Sequence, residues 1–156
     1  MAVKIVAEEF PGFEEERLDE PLCGRLQIHI TYEGYVGGSV TGGPLDHTVA
    51  CVRPMFHGRR TRNCIINPRE VFSDKTRIKI LFTYPLARAV YLTFENAGGF
   101  TRIDFYDAIA AGYQQIYDRK QGSDEPYATR GHEFDNLWIE NIWEAAPGVF
   151  HMSVRS

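Results

Sequence analysis

His47, Cys51, His57 and Cys64 come nearest to a reactive set in this chain, in the order H-x3-C-x5-H-x6-C. Imidazole and thiolate are zinc ligands, and they are also the halves of a base and nucleophile pair. Structural zinc sites bring their ligands in close pairs so that a knuckle can close the tetrahedron, and no C-x2-C pair occurs here. If residues 48–53 form a strand, His47 and Cys51 stand about 13 Å apart along it, too far to share an ion. A Cys51 or Cys64 nucleophile with His47 or His57 as its base is open geometrically, but buried cysteines far more often serve as small core side chains. Residues 131–136 read GHEFDN and collect His132, Glu133 and Asp135. The zinc-protease pattern H-E-x-x-H needs histidine at 136, where Asn136 stands, so a solvated loop cluster is the expectation. No metal and no cofactor is expected, and a thiol- or metal-dependent hydrolase around Cys51, His57 and His132 is the third reading.

The other chemical candidate is the glycine loop. Gly34, Gly37, Gly38, Gly42 and Gly43 are followed by Pro44, Asp46 and His47. A phosphate-cradling loop ends in lysine and a hydroxyl residue at a helix N-terminus, where backbone N–H groups and the dipole converge on the anion. Here Pro-Leu-Asp-His follows, with a candidate strand beyond, and the Gly-x-Gly-x-x-Gly spacing is absent. The loop is expected to turn the chain between two strands.

Charge is the strongest surface signal. The net charge is −4, but residues 1–21 carry seven acids against Lys4 and Arg17, and residues 122–145 carry six carboxylates against Arg130. Between them the sign reverses over Arg53, Arg59, Arg60, Arg62, Arg69, Lys75, Arg77 and Lys79. Arginine and lysine neutralise phosphates, and Phe56 and His57 are placed to stack on unpaired bases, which makes nucleic acid the second reading. The chain is acidic overall, without the high pI of a dedicated nucleic-acid domain. The first reading is therefore a protein partner with an acidic surface, or another copy of the chain, since complementary charge steers association and fixes register. The expected contact residues are Arg53, Phe56, His57, Arg59, Arg60, Arg62, Lys75, Arg77 and Lys79. The acidic segment at 8–22, with Phe10, Phe13, Leu18 and Leu22 interleaved, is expected to pack along its own domain.

These residues have to be carried by ordinary elements. At 156 residues, 44% of them hydrophobic, the chain is long enough to bury a continuous core without staples, and one domain over 1–156 is expected. Three cysteines at uneven spacing suit an intracellular protein with reduced thiols, and no apolar run is long enough for a membrane span. Alternation predicts strands at 2–7, 25–32 and 48–53, with the latter two pairing across the glycine loop. It predicts another at 76–84, with Ile78, Ile80 and Phe82 inward and Arg77, Lys79 and Leu81 outward. Pro85 turns the chain into a returning strand at 89–95. Thr101 is the expected N-cap, with Asp104 in the reciprocal position, of a helix over 102–119. Phe105, Ile109, Gly112 and Ile116 form its apolar stripe, and Asp104, Asp107, Gln114, Gln115 and Asp118 lie on the remaining arc. Residues 136–144 and 148–155 read as a closing hairpin around Pro147, although the first half also suits a helix. The fold class is α+β, one long helix on a mainly antiparallel sheet.

Phe100, Thr101, Gly112, Tyr113, Ile116, Tyr117, Gly131, His132, Leu137 and Glu140 carry a resemblance. In that pattern a helix with a Gly-Tyr-x-x-Ile-Tyr turn precedes Gly-His and a Leu-x-Leu-Glu-like strand. The last third of the chain resembles a group of small domains of large DNA viruses and of some protists and plants. The acidic N-terminus and the glycine loop have no counterpart in it. The resemblance implies a compact α+β module and a viral source, with cytoplasm, nucleus, virion or viral factory as settings, and it implies no activity.

Overall fold

The computed structural model describes residues 3–11, 68–119, 129 and 131–156, together with four short strand segments at 25–26, 50–51, 55–56 and 59–60. In those four segments, and at residues 140–141, the backbone alone is described. The glycine loop, Cys23, Cys64, His47 and the acidic run at 14–20 lie outside the described residues.

The fold is α+β. Strands β1 (Lys4–Glu9), β2 (Arg25–Leu26), β3 (Ala50–Cys51), β4 (Met55–Phe56), β5 (Arg59–Arg60), β6 (Val71–Ser73), β7 (Arg77–Phe82), β8 (Val90–Glu95) and β9 (Phe100–Thr101) precede helix α1 (Arg102–Arg119). A 3-10 turn at Phe134–Asn136, β10 (Trp138–Ala146) and β11 (Val149–Arg155) follow it. The main sheet runs β1-β8-β7-β11-β10-β2, with β3 also on β10. Four further strands form two small ribbons, β4 with β5 and β6 with β9.

The hairpins form where alternation and turn chemistry put them. β7 and β8 pair from Arg77↔Glu95 to Phe82↔Val90, and the Tyr84–Pro85 bond in their connection is cis. Residues 138–146 are strand, not helix, and β10 returns as β11 through Pro147 and Gly148. Proline sets the first φ of that turn, and glycine accepts φ +73° at the second position without a Cβ penalty. Two pairings differ from expectation. β2 and β3 both run antiparallel to β10, at Ile142↔Leu26 and at Ile139↔Ala50, so at these residues they point the same way and do not pair with each other. β11 joins β7 in parallel, Val149↔Lys79 and Phe150↔Ile80, which makes the sheet mixed.

Helix α1 begins where its capping box begins. The Asp104 carboxylate accepts from the Thr101 N–H at 3.1 Å and the Asp104 N–H donates to Thr101 Oγ1 at 3.3 Å. The next two orphan donors, Arg102 N–H and Ile103 N–H, reach the carbonyls of Glu70 and Pro68, so the segment before β6 closes the helix end. That segment and the β6/β9 ribbon explain why the helix is buried beyond one stripe. From Phe105 to Ala110 every residue is buried, Asp107 among them, against the expected solvent arc. Phe72 of β6 stacks 4.3 Å from Phe105, and Phe105 meets Phe150 of β11 edge-on at 4.8 Å, linking ribbon, helix and sheet.

Ile78, Ile80 and Phe82 face this core, as alternation requires. Leu81 does not face water as expected. It is 3% exposed on the opposite face of the sheet, in a second cluster with Ala89 and Tyr91. No described helix is long and apolar enough to cross a membrane.

The tightest contact between the layers is at Gly112. A Cβ there would fall 2.3 Å from the Phe82 ring, which is fully buried and has nowhere to move. Gly112→Ala should therefore overpack the core by about 1–3 kcal/mol, only partly offset by the roughly 1 kcal/mol that alanine gains in a helix. Denaturant unfolding should show a lower midpoint with an unchanged slope. A midpoint at or above wild type would mean that α1 lies farther from β7.

Candidate functional site

Arg53, His57 and Arg62 lie outside the described residues. Phe56, Arg59 and Arg60 belong to the β4/β5 ribbon, paired Met55↔Arg60 and Phe56↔Arg59. Lys75, Arg77 and Lys79 come together on β7 and just before it, on the sheet face away from α1. With Ala7, Ile78, Thr93, Pro147, Gly148 and Val149 they line an open groove of about 390 Å3.

The cations of this groove do not stand as a bare positive strip. Arg77 is held by Glu95 of β8, its Nη2 2.5 Å from Oε1. Lys79 Nζ lies 2.9 Å from Glu9 of β1 and 4.8 Å from the centre of the Tyr91 ring between them. The N-terminal acids thus meet the basic strand within one chain, and Glu8 likewise holds Arg119 at the end of α1 at 2.6 Å. Lys75 is exposed and has no acidic partner among the described residues; its stem crosses Gly148, where a Cβ would come 3.0 Å from Lys75 Cδ. The pairs are exposed, and exposed pairs contribute only about 0.2–1 kcal/mol each, too little for stability to be their main consequence.

A second site was not foreseen. Tyr84 Oη, His132 Nδ1 and Ser156 Oγ form a triangle with sides of 3.1, 2.8 and 2.7 Å. It borders a cleft of about 320 Å3 lined by Thr83, Tyr84, Pro85, Leu86 and His132. The parallel β7–β11 pairing builds it, because the two strands end at the same side of the sheet and deliver Tyr84 and Ser156 there. Two tyrosines of α1, one turn apart, fix its frame. Tyr113 Oη donates to the Tyr84 carbonyl at 2.6 Å and Tyr117 Oη to the His132 carbonyl at 2.8 Å. Burial raises both hydroxyls: Tyr113 goes well above the usual tyrosine range, and Tyr117 is pushed up to about 12, opposed by its hydrogen bond with Thr129. Both therefore stay protonated donors at neutral pH. The sequence signal was present, since a buried tyrosine needs a partner for its hydroxyl, and two of them at i and i+4 imply two acceptors side by side.

Ser156 Oγ and His132 have the spacing of a nucleophile and its base. Among the described residues no carboxylate hydrogen-bonds this imidazole, so the third group that orients a catalytic base is missing. No three metal-ligating side chains gather among the described residues. Of the hydrolase set, Cys51 is described only by its backbone in β3 and residue 57 is not described.

Beside the ionic groove the same sheet face is closed to water. His151 is 3% exposed, with Tyr91 Oη 2.9 Å from Nε2 and the Trp143 ring 6.0 Å away; the buried Trp143 indole N–H has no hydrogen-bond partner among the described residues. Burial holds the His151 pKa below the ordinary histidine value, because a charged ring is costly there. The unfolded chain then binds a proton that the native state resists, so stability is full above about pH 6.5 and falls as pH drops below it. His151→Gln, which keeps an acceptor for Tyr91, should flatten this slope in denaturant unfolding at pH 7.5 and 5.5; an unchanged slope would place its origin elsewhere. No family model, no curated protein and no solved structure matches the chain.

Proposed function

We propose that the protein works by binding, with the ionic sheet face as the contact surface for another protein, in the simplest case a second copy of itself. The observation that carries this reading is the interleaving of signs in the groove. Glu9 and Glu95 sit between and beside Lys79 and Arg77, with Lys75 left exposed at the mouth. Such a surface matches a partner that also carries both signs, and it fixes register because every shift brings like charges together. Carboxylates within hydrogen-bond reach of two of the three cations work against a phosphate backbone, which rewards unpaired lysine and arginine. Nucleic acid is thereby the weaker reading for this face.

Exposed ion pairs act through affinity and encounter rate, and both fall with salt. Sizing the full chain at about 0.05 and 0.5 M salt, across which the screening length shrinks severalfold, should show association that weakens at the higher salt. Lys75→Glu should weaken it at low salt without lowering the unfolding midpoint, since Lys75 has no acidic partner among the described residues. A monomer at both salts that is retained on DNA, with retention lost on Lys75→Glu, would overturn the protein reading in favour of nucleic acid.

A further inference from the structure

We propose that a second copy of the chain joins at the open edge of the main sheet, β1 antiparallel to β1, across a two-fold axis that passes between Val6 and Ala7. This contact goes beyond the ionic face, because it uses the backbone edge of β1 and lays the two ionic faces side by side.

The edge is open. β1 ends the strand order, pairs with β8 on one side, and is exposed at Lys4 and from Val6 to Glu9. An edge strand presents a row of N–H and C=O groups to any strand that matches it. Bulges and charges ordinarily blunt such edges, and β1 carries both: its register on β8 slips at Val6, between Ile5↔Phe94 and Ala7↔Thr93. Here the same two features select one partner. Residues five apart on a regular strand point to opposite faces. The extra residue cancels that, so Lys4, opposite Glu95, shares the outer face with Glu9, opposite Tyr91. Ile5 and Glu8, opposite Phe94 and Leu92, share the helix side. A two-fold axis between Val6 and Ala7 therefore sets Lys4 beside Glu9 of the second copy, and Ile5 beside Glu8 of the second copy, each pair on one face and each formed twice. A shift of one residue either way would oppose side chains that lie on different faces.

The chemistry of these positions agrees with the geometry. Lys4 has no ion-pair partner among the described residues, and Glu9 gives Lys79 its Oε1, which leaves Oε2 for a second ammonium. Glu8 is already held by Arg119, so Ile5 meets its stem and not an uncompensated charge. The signs then alternate across the junction, from Arg77, Glu95 and Lys4 to Glu9 and Lys79 of the second copy. At the axis lie Ala7 and Val6, the latter one of the two large apolar side chains exposed among the described residues. An apolar centre within a charged rim is the usual plan of a protein contact.

Sedimentation of the full chain at about 0.5 M salt, where ionic-face contacts are screened, should still show a dimer, with a Kd of about 1–100 μM. Amide hydrogen exchange in residues 4–9 should slow as the concentration rises through that Kd. At about 0.1 M salt, in a Lys75→Glu background that removes the ionic-face contact, Lys4→Glu and Glu9→Lys should each weaken the dimer about fivefold or more, since each sets like charges opposite one another twice. An equimolar mixture of these two variants should pair as tightly as the parent, because each copy supplies the sign that the other lacks. A dimer with these properties in the Lys75→Glu background supports the edge contact whether or not the ionic face binds a partner. A monomer at about 0.5 mM protein, far above the expected Kd, would overturn the proposal and leave the edge to a strand of a different protein. A dimer whose β1 amides exchange at one rate at every concentration, or a mixture no tighter than its components, would overturn it equally.

Discussion

The absence of a side chain at Gly112 sets the distance between helix and sheet. Phe82 fills the space that a Cβ would take, and the helix comes down until the ring touches its backbone. At that height Tyr113, the next residue, meets Phe82 edge-on at 5.0 Å and still reaches past it to the Tyr84 carbonyl. One turn later Tyr117 reaches the carbonyl of His132 and stacks on Phe134 at 5.1 Å. Neither hydroxyl could make its bond from a helix lifted by a methyl group's width, because a hydroxyl–oxygen hydrogen bond spans only about 2.5–3.0 Å. Core packing and the geometry of the cleft are therefore one constraint. The capping box and the carbonyls of Pro68 and Glu70 fix the other end of the helix and so its axial position.

The two faces of the sheet do different work. The inner face buries an unbroken apolar set from Ile78 to Met152, and there the hydrophobic term decides stability. The outer face is divided along its strands. Leu81, Tyr91, Trp143 and His151 are closed to water at one end, and Lys79, Arg77, Glu9 and Glu95 stand open at the other. Tyr91 joins the two halves, since its hydroxyl meets His151 and its ring lies under the Lys79 ammonium. A charge on that ring face is attracted by the quadrupole, so Lys79 is placed by two partners and not by one.

How much of this was legible in the sequence depended on whether the signal was local. The capping box, the 102–119 helix, the β7/β8 and β10/β11 hairpins and the inward set Ile78, Ile80 and Phe82 are fixed by neighbours within a few residues, and pattern finds them. Asp107 and Leu81 went the other way. Each sits on a face that alternation or helical period assigns to water, and each is buried because a distant segment or another part of the sheet covers it. The pairing of 25–32 with 48–53 failed in the described residues for the same reason: adjacency in sequence suggested a hairpin, and β10 offered a longer edge to both. Of the nominated contact residues, Lys75, Arg77 and Lys79 do share a groove, as their alternate spacing along β7 and the residues just before it implies. Their carboxylate partners come from β1 and β8, and no local pattern reports which strands flank β7.

The parallel joint between β7 and β11 is the least local feature and the one with most chemical consequence. Had β11 joined β7 as a hairpin partner, Ser156 would have ended beside Arg77, at the far side of the sheet from Tyr84. Running in parallel, the two strands carry their C-terminal ends to one place, where side chains from separate parts of the chain converge. A parallel connection needs a long crossover, and α1 lies within the chain that supplies it. The helix therefore has two tasks that one sequence segment must satisfy together: its span returns the chain to the correct edge, and its tyrosines lock the turn and the loop that this return brings side by side. The aromatic residues and the single glycine, Gly112, between 100 and 117 follow from that double demand, since close approach needs glycine, and reach across a buried layer to a carbonyl needs the length of tyrosine.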